Sequence, residues 1–183
     1  TRYISVTGVQ TCALPICQNR AKSMAMIHER LYQSSDLKRI EFSDYINTLT
    51  TNLFYSYAVD PQRVKMTVNV EEVMLDVNTA IPLGLILTEL VSNCFKYAFP
   101  HDAAGEVKVD FHSFTDEGAK KFRLTVSDNG VGLPADFDPK KSDSLGLMLI
   151  YSLSGQIGAE IKLDTTQGTE FEITFEEKLD HSP

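Results

Sequence analysis

The sequence predicts an α+β fold, a two-layer sandwich with helices on one face of a mixed, largely antiparallel sheet. Three observations carry that reading. Apolar residues alternate at Val64, Met66, Val68 and Val70, at Val107, Val109 and Phe111, and at Phe122, Leu124 and Val126, the period of half-buried strands. A long apolar helix is expected between the first of these stretches and the second. The strands fall in hairpin-like pairs instead of alternating strictly with helices, which argues against a parallel α/β sheet.

Residues 1–17 are punctuated by Gly8 and Pro15 and show no sustained period. They are set apart as non-native or disordered sequence with no function. From Gln18, Met24, Ile27 and Leu31 fall at helical spacing, and Ser34-Ser35-Asp36 breaks the run. Ser43 is a suitable N-cap for a second helix, whose apolar face is Ile46, Leu49, Leu53 and Phe54. Asp60-Pro61 ends it. These two helices form a stem over residues 18–59. The body spans residues 60–178, and residues 179–183 are a tail.

Within the body a short strand is expected near residues 73–75. Asn78 or Thr79 opens the long helix, which runs to about Ala98 with Pro82 in its first turn or so, where proline is tolerated. A charged turn at Asp116-Glu117-Gly118 joins the next two strands. Residues 128–144 are rich in Gly, Pro and Asp and read as a loop. A helix over residues 145–157 and strands over residues 159–163 and 169–175 complete the body.

Composition excludes several functions. Twenty-five acidic against seventeen basic residues give a net charge of −8, the wrong sign for a nucleic-acid surface. No apolar run reads as long enough to span a bilayer, and no secretory signal pattern is present, so the segment is expected to be cytoplasmic with no membrane contact. Cys12, Cys17 and Cys94 form no disulfide framework or zinc pattern, which fits a reducing compartment.

Four motifs carry chemistry in combination. Glu89 and Asn93 are four residues apart in TELVSNCFKYAF, so a carboxylate and a carboxamide share one helix face and could present oxygens to a hard cation. Lys96 and Tyr97 fall on nearly the same stripe. Asp128-Asn129-Gly130-Val131-Gly132 follows a strand, and its glycines permit close backbone approach to a ligand. It is neither the dinucleotide fingerprint nor a P-loop. Ser142-Asp143-Ser144-Leu145-Gly146-Leu147 opens a helix whose free N–H groups suit a phosphate. Gly168-Thr169 leads into the last strand. Each motif alone reads as ordinary capping, turn or amphipathic-helix sequence.

The order and spacing of the four resemble the N box, G1 box, G2 box and final Gly-Thr strand of the GHKL ATPases, the superfamily of gyrase B, heat-shock chaperone ATPases and sensor histidine kinases. The resemblance covers roughly residues 61–177 and implies the Bergerat ATP-binding fold. AMIHERLYQS, residues 25–34, resembles the second dimerisation helix of the type-2 histidine-kinase class, and ELVSNCFKYAFP resembles that class's N box. The neighbouring class with a Trp-x-Glu motif is disfavoured, since the chain has no tryptophan.

The resemblance implies ATP and Mg²⁺ as cofactors. It implies that Asn93 ligates Mg²⁺, and that Glu89 either holds a Mg²⁺-bound water or acts as a base toward the attacking group. Asp128 accepts from the adenine amino group, and Thr169 supports it beside Gly168. Gly130 and Gly132 pass the base and ribose. Leu145, Gly146 and Leu147 bring amides to the phosphates. Lys96, with Lys140 and Lys141 from the lid, would neutralise phosphate charge, and Phe137 is a weak match to a lid phenylalanine. The implied reaction is transfer of the γ-phosphoryl group to a histidine on a dimerisation helix outside this chain. The implied partners are that acceptor helix, a response regulator and a second copy in the full-length protein. In the resembled class the acceptor lies in the preceding helix, so His28 is expected to pack in the stem, and the chain reads as an incomplete fragment. The alternatives are a non-catalytic nucleotide-binding module and an anti-sigma-factor-type serine kinase. The stem disfavours the serine kinase.

Overall fold

A computed structural model describes residues 18–27, 29, 38–101, 103–134, 137–139 and 144–176. Cys12, Cys17, His28, Leu31, Lys140 and Lys141, all singled out above, lie outside the described residues.

The N-terminal helix α1, residues 18–27, buries Asn19, Ser23 and Ile27, a stripe of every fourth residue. Met24, expected on the buried face, is 42% exposed. The apolar spacing therefore misplaced this face by about one residue, because two of its three buried positions are polar.

Strand β1 (Arg39–Glu41) precedes helix α2 (Phe42–Ser56). Its N-cap is Glu41, not Ser43. The Glu41 carboxylate accepts from the backbone N–H groups of Ser43 and Asp44, the satisfaction of free N-terminal donors that a cap provides. Strand β2 (Val64–Val70) and strand β3 (Met74–Asp76) follow. β1 and β3 pair antiparallel as a separate two-stranded sheet.

Helix α3 (Val77–Asn93) starts one residue earlier than expected because Asp76 caps it by accepting from Asn78 N–H. Pro82 is thus its sixth residue, beyond the first turn, where it removes one ladder bond. The expected single helix to Ala98 instead changes hand-over at Cys94: residues Cys94–Ala98 form a π-helical turn. One continuous helical stretch, Val77–Ala98, is long and apolar enough to cross a membrane by length and composition, contrary to the reading of the sequence. Here it is the core helix. Ala80, Leu83, Ile86, Leu87, Leu90 and Val91 are buried.

Strands β4 (Gly105–Asp116) and β5 (Ala119–Asp128) form the expected hairpin. Its two-residue turn, Glu117-Gly118, has φ of 49° and 84°, the geometry that matches strand twist. Helix α4 (Leu145–Gln156) and strands β6 (Glu160–Asp164) and β7 (Thr169–Phe175) complete the body.

The main sheet has the order β2-β4-β5-β7-β6. β2 and β4 are parallel and every other pair is antiparallel. A parallel neighbour needs a crossover, and α3 lies within that connection. One face of the sheet is packed: Val109, Val126 and Phe171 lie in register, as do Phe111, Leu124 and Ile173. Phe122 stacks between Phe111 and Phe175, with ring centroids 6.0 and 5.5 Å away. Helices α2, α3 and α4 cover the body, with α3 touching both of the others. The result is the predicted mixed two-layer α/β architecture.

Candidate functional site

The ends of β5 and β7 meet the C-terminal end of α3 around a cavity of about 420 Å³. Its walls bring together Asn93 and Tyr97 from α3 and its π turn, Asp128 from the end of β5, Gly132 from the following loop, Leu147 from α4 and Thr169 from the start of β7. These six were singled out from sequence. Phe137 also lines it. The size suits a small ligand, and apolar walls with a few polar groups are the usual form of such a site.

The π turn decides which residues face inward. In an α-helix Lys96 and Tyr97, three and four beyond Asn93, would share its face. A π turn bonds i to i+5, which moves the alignment to Tyr97 and Ala98, and both line the cavity. The Lys96 ammonium turns instead onto the ring of Tyr57, 5.5 Å from its centroid, a cation–π contact.

Asp128 is 7% exposed and accepts a hydrogen bond from Gly130 N–H at 2.9 Å. It lies directly opposite Thr169 in the β5–β7 register. The neighbouring glycines have packing reasons of their own. A Cβ on Gly130 would lie 2.2 Å from the carbonyl oxygen of Ala98, the group that accepts from Val131 N–H at 2.9 Å. Gly168 has φ of 94°, and a Cβ there would lie 2.0 Å from the Asp128 carbonyl oxygen. The loop after β5 is thereby pressed between the π turn and the start of β7.

Glu89, one turn before Asn93, is buried at 4% exposure and does not line the cavity. Arg20 of α1 donates from Nε to its Oε1 at 2.5 Å. Its other oxygen lies 2.8 Å from where a Cβ on Gly146 would be, so glycine at the first turn of α4 leaves room for this carboxylate. Gly146 and Leu145 do not line the cavity, and Leu145 is 66% exposed. Ser144 holds the N-cap position of α4, without a side-chain capping bond, and does line the cavity.

Sequence reasoning missed Leu90, Cys94, Ala98, Val126 and Phe171 as walls of the cavity. Nothing in a local pattern separates these apolar wall residues from core. Burial, with Asp128 close by, pushes the Cys94 thiol well above its usual range, which keeps it protonated. Arg20 was also missed, since 69 residues separate it from Glu89.

The chain belongs to the histidine kinase-, DNA gyrase B- and HSP90-like ATPase family, whose sequence model matches residues 78–179. A histidine kinase model matches residues 7–57, beginning within the segment set apart above. The chain is 32% identical over 136 residues to the sensor histidine kinase PdtaS of Mycobacterium tuberculosis, covering 73% of this chain and 26% of that protein. It is 32% identical over 105 residues to blue-light-activated histidine kinase 2 of Erythrobacter litoralis, covering 57% of this chain and 29% of that protein. The chain thus spans about a quarter of the length of the curated relatives it matches. Among solved structures, the histidine kinase domain of an Erythrobacter litoralis blue-light-activated kinase shares the fold, with a TM-score of 0.79, 23% identity, and coverage of 88% of this chain and 75% of that one.

Proposed function

We propose that this chain is the ATP-binding catalytic region of a two-component sensor histidine kinase. The observation that carries the proposal is the convergence of Asn93, Asp128 and Thr169 on one cavity at the end of α3. Adenine stacks among the apolar walls with its amino group donating to Asp128. The triphosphate runs toward Asn93 and the first turn of α4, whose free N–H groups and dipole favour an anion. The donor set fits Mg²⁺ in a particular way. No group of three or more His, Cys, Asp or Glu side chains able to hold a metal occurs among the described residues. Mg²⁺ needs no such cage, because it keeps waters and takes ligand phosphate oxygens alongside one or two protein oxygens. Asn93 would supply such an oxygen, and Glu89, one helical turn away, would hold a metal-bound water or accept a proton.

The reaction is phosphoryl transfer, which depends on positioning and charge stabilisation. A neutral imidazole nitrogen of the acceptor attacks the γ-phosphorus in line, and the bond to the β-phosphate oxygen breaks with its electrons leaving on ADP. The proton on the other ring nitrogen of the attacking imidazole passes to Glu89 or to water. The acceptor sits on a dimerisation helix that this chain does not supply. The stretch holding His28 resembles the second dimerisation helix of this class, and His28 is not assigned as that acceptor. A response regulator takes the phosphoryl group onward, the full-length protein is a dimer, and this region works in the cytoplasm. Incubating the chain with labelled Mg·ATP, with and without an acceptor-helix fragment of this kinase class, tests the proposal. Acid-labile, base-stable label on the added fragment supports it. Label on the chain alone that disappears in His28→Gln contradicts the acceptor assignment, and label on serine contradicts the reaction.

A further inference from the structure

Glu89 is a buried carboxylate whose partner comes from the stem. Its side chain is 5% exposed, and among the described residues Arg20 is its only salt-bridge partner. A carboxylate held out of water is stabilised by such a partner, because a buried unpaired charge is costly. Arg20 reaches Glu89 from α1, whose seat on the body is built from adjoining positions. Ser23 Oγ and the Tyr45 hydroxyl lie 2.5 Å apart, and Ile27 is fully buried. The helix that carries the guanidinium is therefore docked, and the contact is part of how stem and ATPase body meet.

The same carboxylate is one turn from the amide of Asn93, where the reading above places Mg·ATP. Arg20 engages Oε1 and neutralises the carboxylate on which either use of Glu89, holding a metal-bound water or accepting a proton, would draw. A guanidinium and a hydrated Mg²⁺ held beside one carboxylate repel each other. We propose that Arg20 is a positioning residue of the nucleotide site, holding Glu89 in the nucleotide-free chain as a stand-in cation that Mg·ATP displaces. Nucleotide occupancy and the docked position of the start of α1 then oppose each other, and by linkage the opposition is reciprocal. Ser23 and Ile27 stay seated, so displacement frees the Arg20 end of the helix and leaves the rest in place. The inference rests on the Mg·ATP reading proposed above.

Calorimetric titration of the whole chain with ATP in Mg²⁺ and in excess chelator tests it, comparing wild type, Arg20→Met and Arg20→Lys. Arg20→Met is expected to bind Mg·ATP about fivefold or more tightly than wild type. Arg20→Lys should lie between them, and affinities in chelator should agree for all three. Equal or weaker Mg·ATP binding by Arg20→Met in a chain that binds in its wild-type form overturns the inference and leaves the nucleotide site standing. Wild-type chain that binds no Mg·ATP overturns both. Hydrogen exchange on the wild-type chain is independent of how the variants fold. Exchange in the peptide covering residues 18–27 should rise when Mg·ATP replaces ATP in chelator, and a fall or no change overturns the inference.

Discussion

Gly130→Ala is expected to destabilise the chain by about 2–6 kcal/mol. The magnitude follows from the packing of the loop after β5. The added methyl would sit 2.2 Å from the Ala98 carbonyl oxygen and 2.6 Å from Ala98 Cβ, so backbone must move. Overpacking of this kind costs about 1–3 kcal/mol. The movement also pulls Val131 N–H from that carbonyl, now at 2.9 Å, and a buried acceptor left unmet costs about 1–3 kcal/mol more. Gly155→Ala is the control. Nothing lies within 4 Å of its added methyl, and it is an exposed position in α4, so helix propensity should give a gain of up to about 1 kcal/mol. Urea denaturation of both variants measures the two effects, and they should differ in sign. Gly130→Ala within about 0.5 kcal/mol of wild type, the range of inert surface changes, would refute the claim that the loop is clamped against the π turn.

Three other outcomes are expected. Asp128→Asn should weaken ATP binding about tenfold, the worth of a charge-assisted hydrogen bond, and narrow the margin over GTP; an unchanged ATP-to-GTP ratio removes Asp128 from base recognition. Cys94, a buried thiol pushed up by burial and by Asp128, should resist iodoacetamide at pH 8 in the native chain and react once urea unfolds it, as read by peptide mass spectrometry; fast native alkylation would contradict the closed wall. Glu71 is held below the usual carboxylate range chiefly by the Ser113 backbone N–H, with the Ser113 hydroxyl adding to it. A lowered folded-state pKa means stability present above the unfolded value and lost as pH falls through the folded one. Glu71→Gln should therefore cost stability in urea at pH 7, with a difference from wild type that shrinks in acid below the ordinary glutamate range; a constant difference would contradict the assignment.

The strands were legible because burial on one face writes itself as alternation, and Val107 to Val126 and Thr169 to Phe175 show it. Their partners were not: the parallel β2–β4 pair depends on the crossover through α3, and no local pattern records it. β1 was missed because three residues, two of them charged, carry no period. Helix starts shifted where Asp76 and Glu41 supplied caps at positions the apolar rhythm did not mark. In the site, Asn93, Asp128 and Thr169 were legible as motifs with a chemical reason for each residue type. Lys96 was placed by α-helical geometry, and a π turn moved it onto Tyr57. The Arg20–Glu89 pair joins α1 to α3 and exists only in the folded chain.

Nucleotide titration of Asn93→Ala bears most directly on the central claim that this cavity binds Mg·ATP through α3. Asn93 faces the cavity while Leu90 and Val91 on the same helix are buried, so the variant should keep the wild-type fold by circular dichroism and urea midpoint. Its affinity for ATP in Mg²⁺ should drop to that of wild type in chelator, with no further loss when chelator is added to the variant. A folded Asn93→Ala chain that binds Mg·ATP as tightly as wild type, with the same gain from Mg²⁺, would contradict the account.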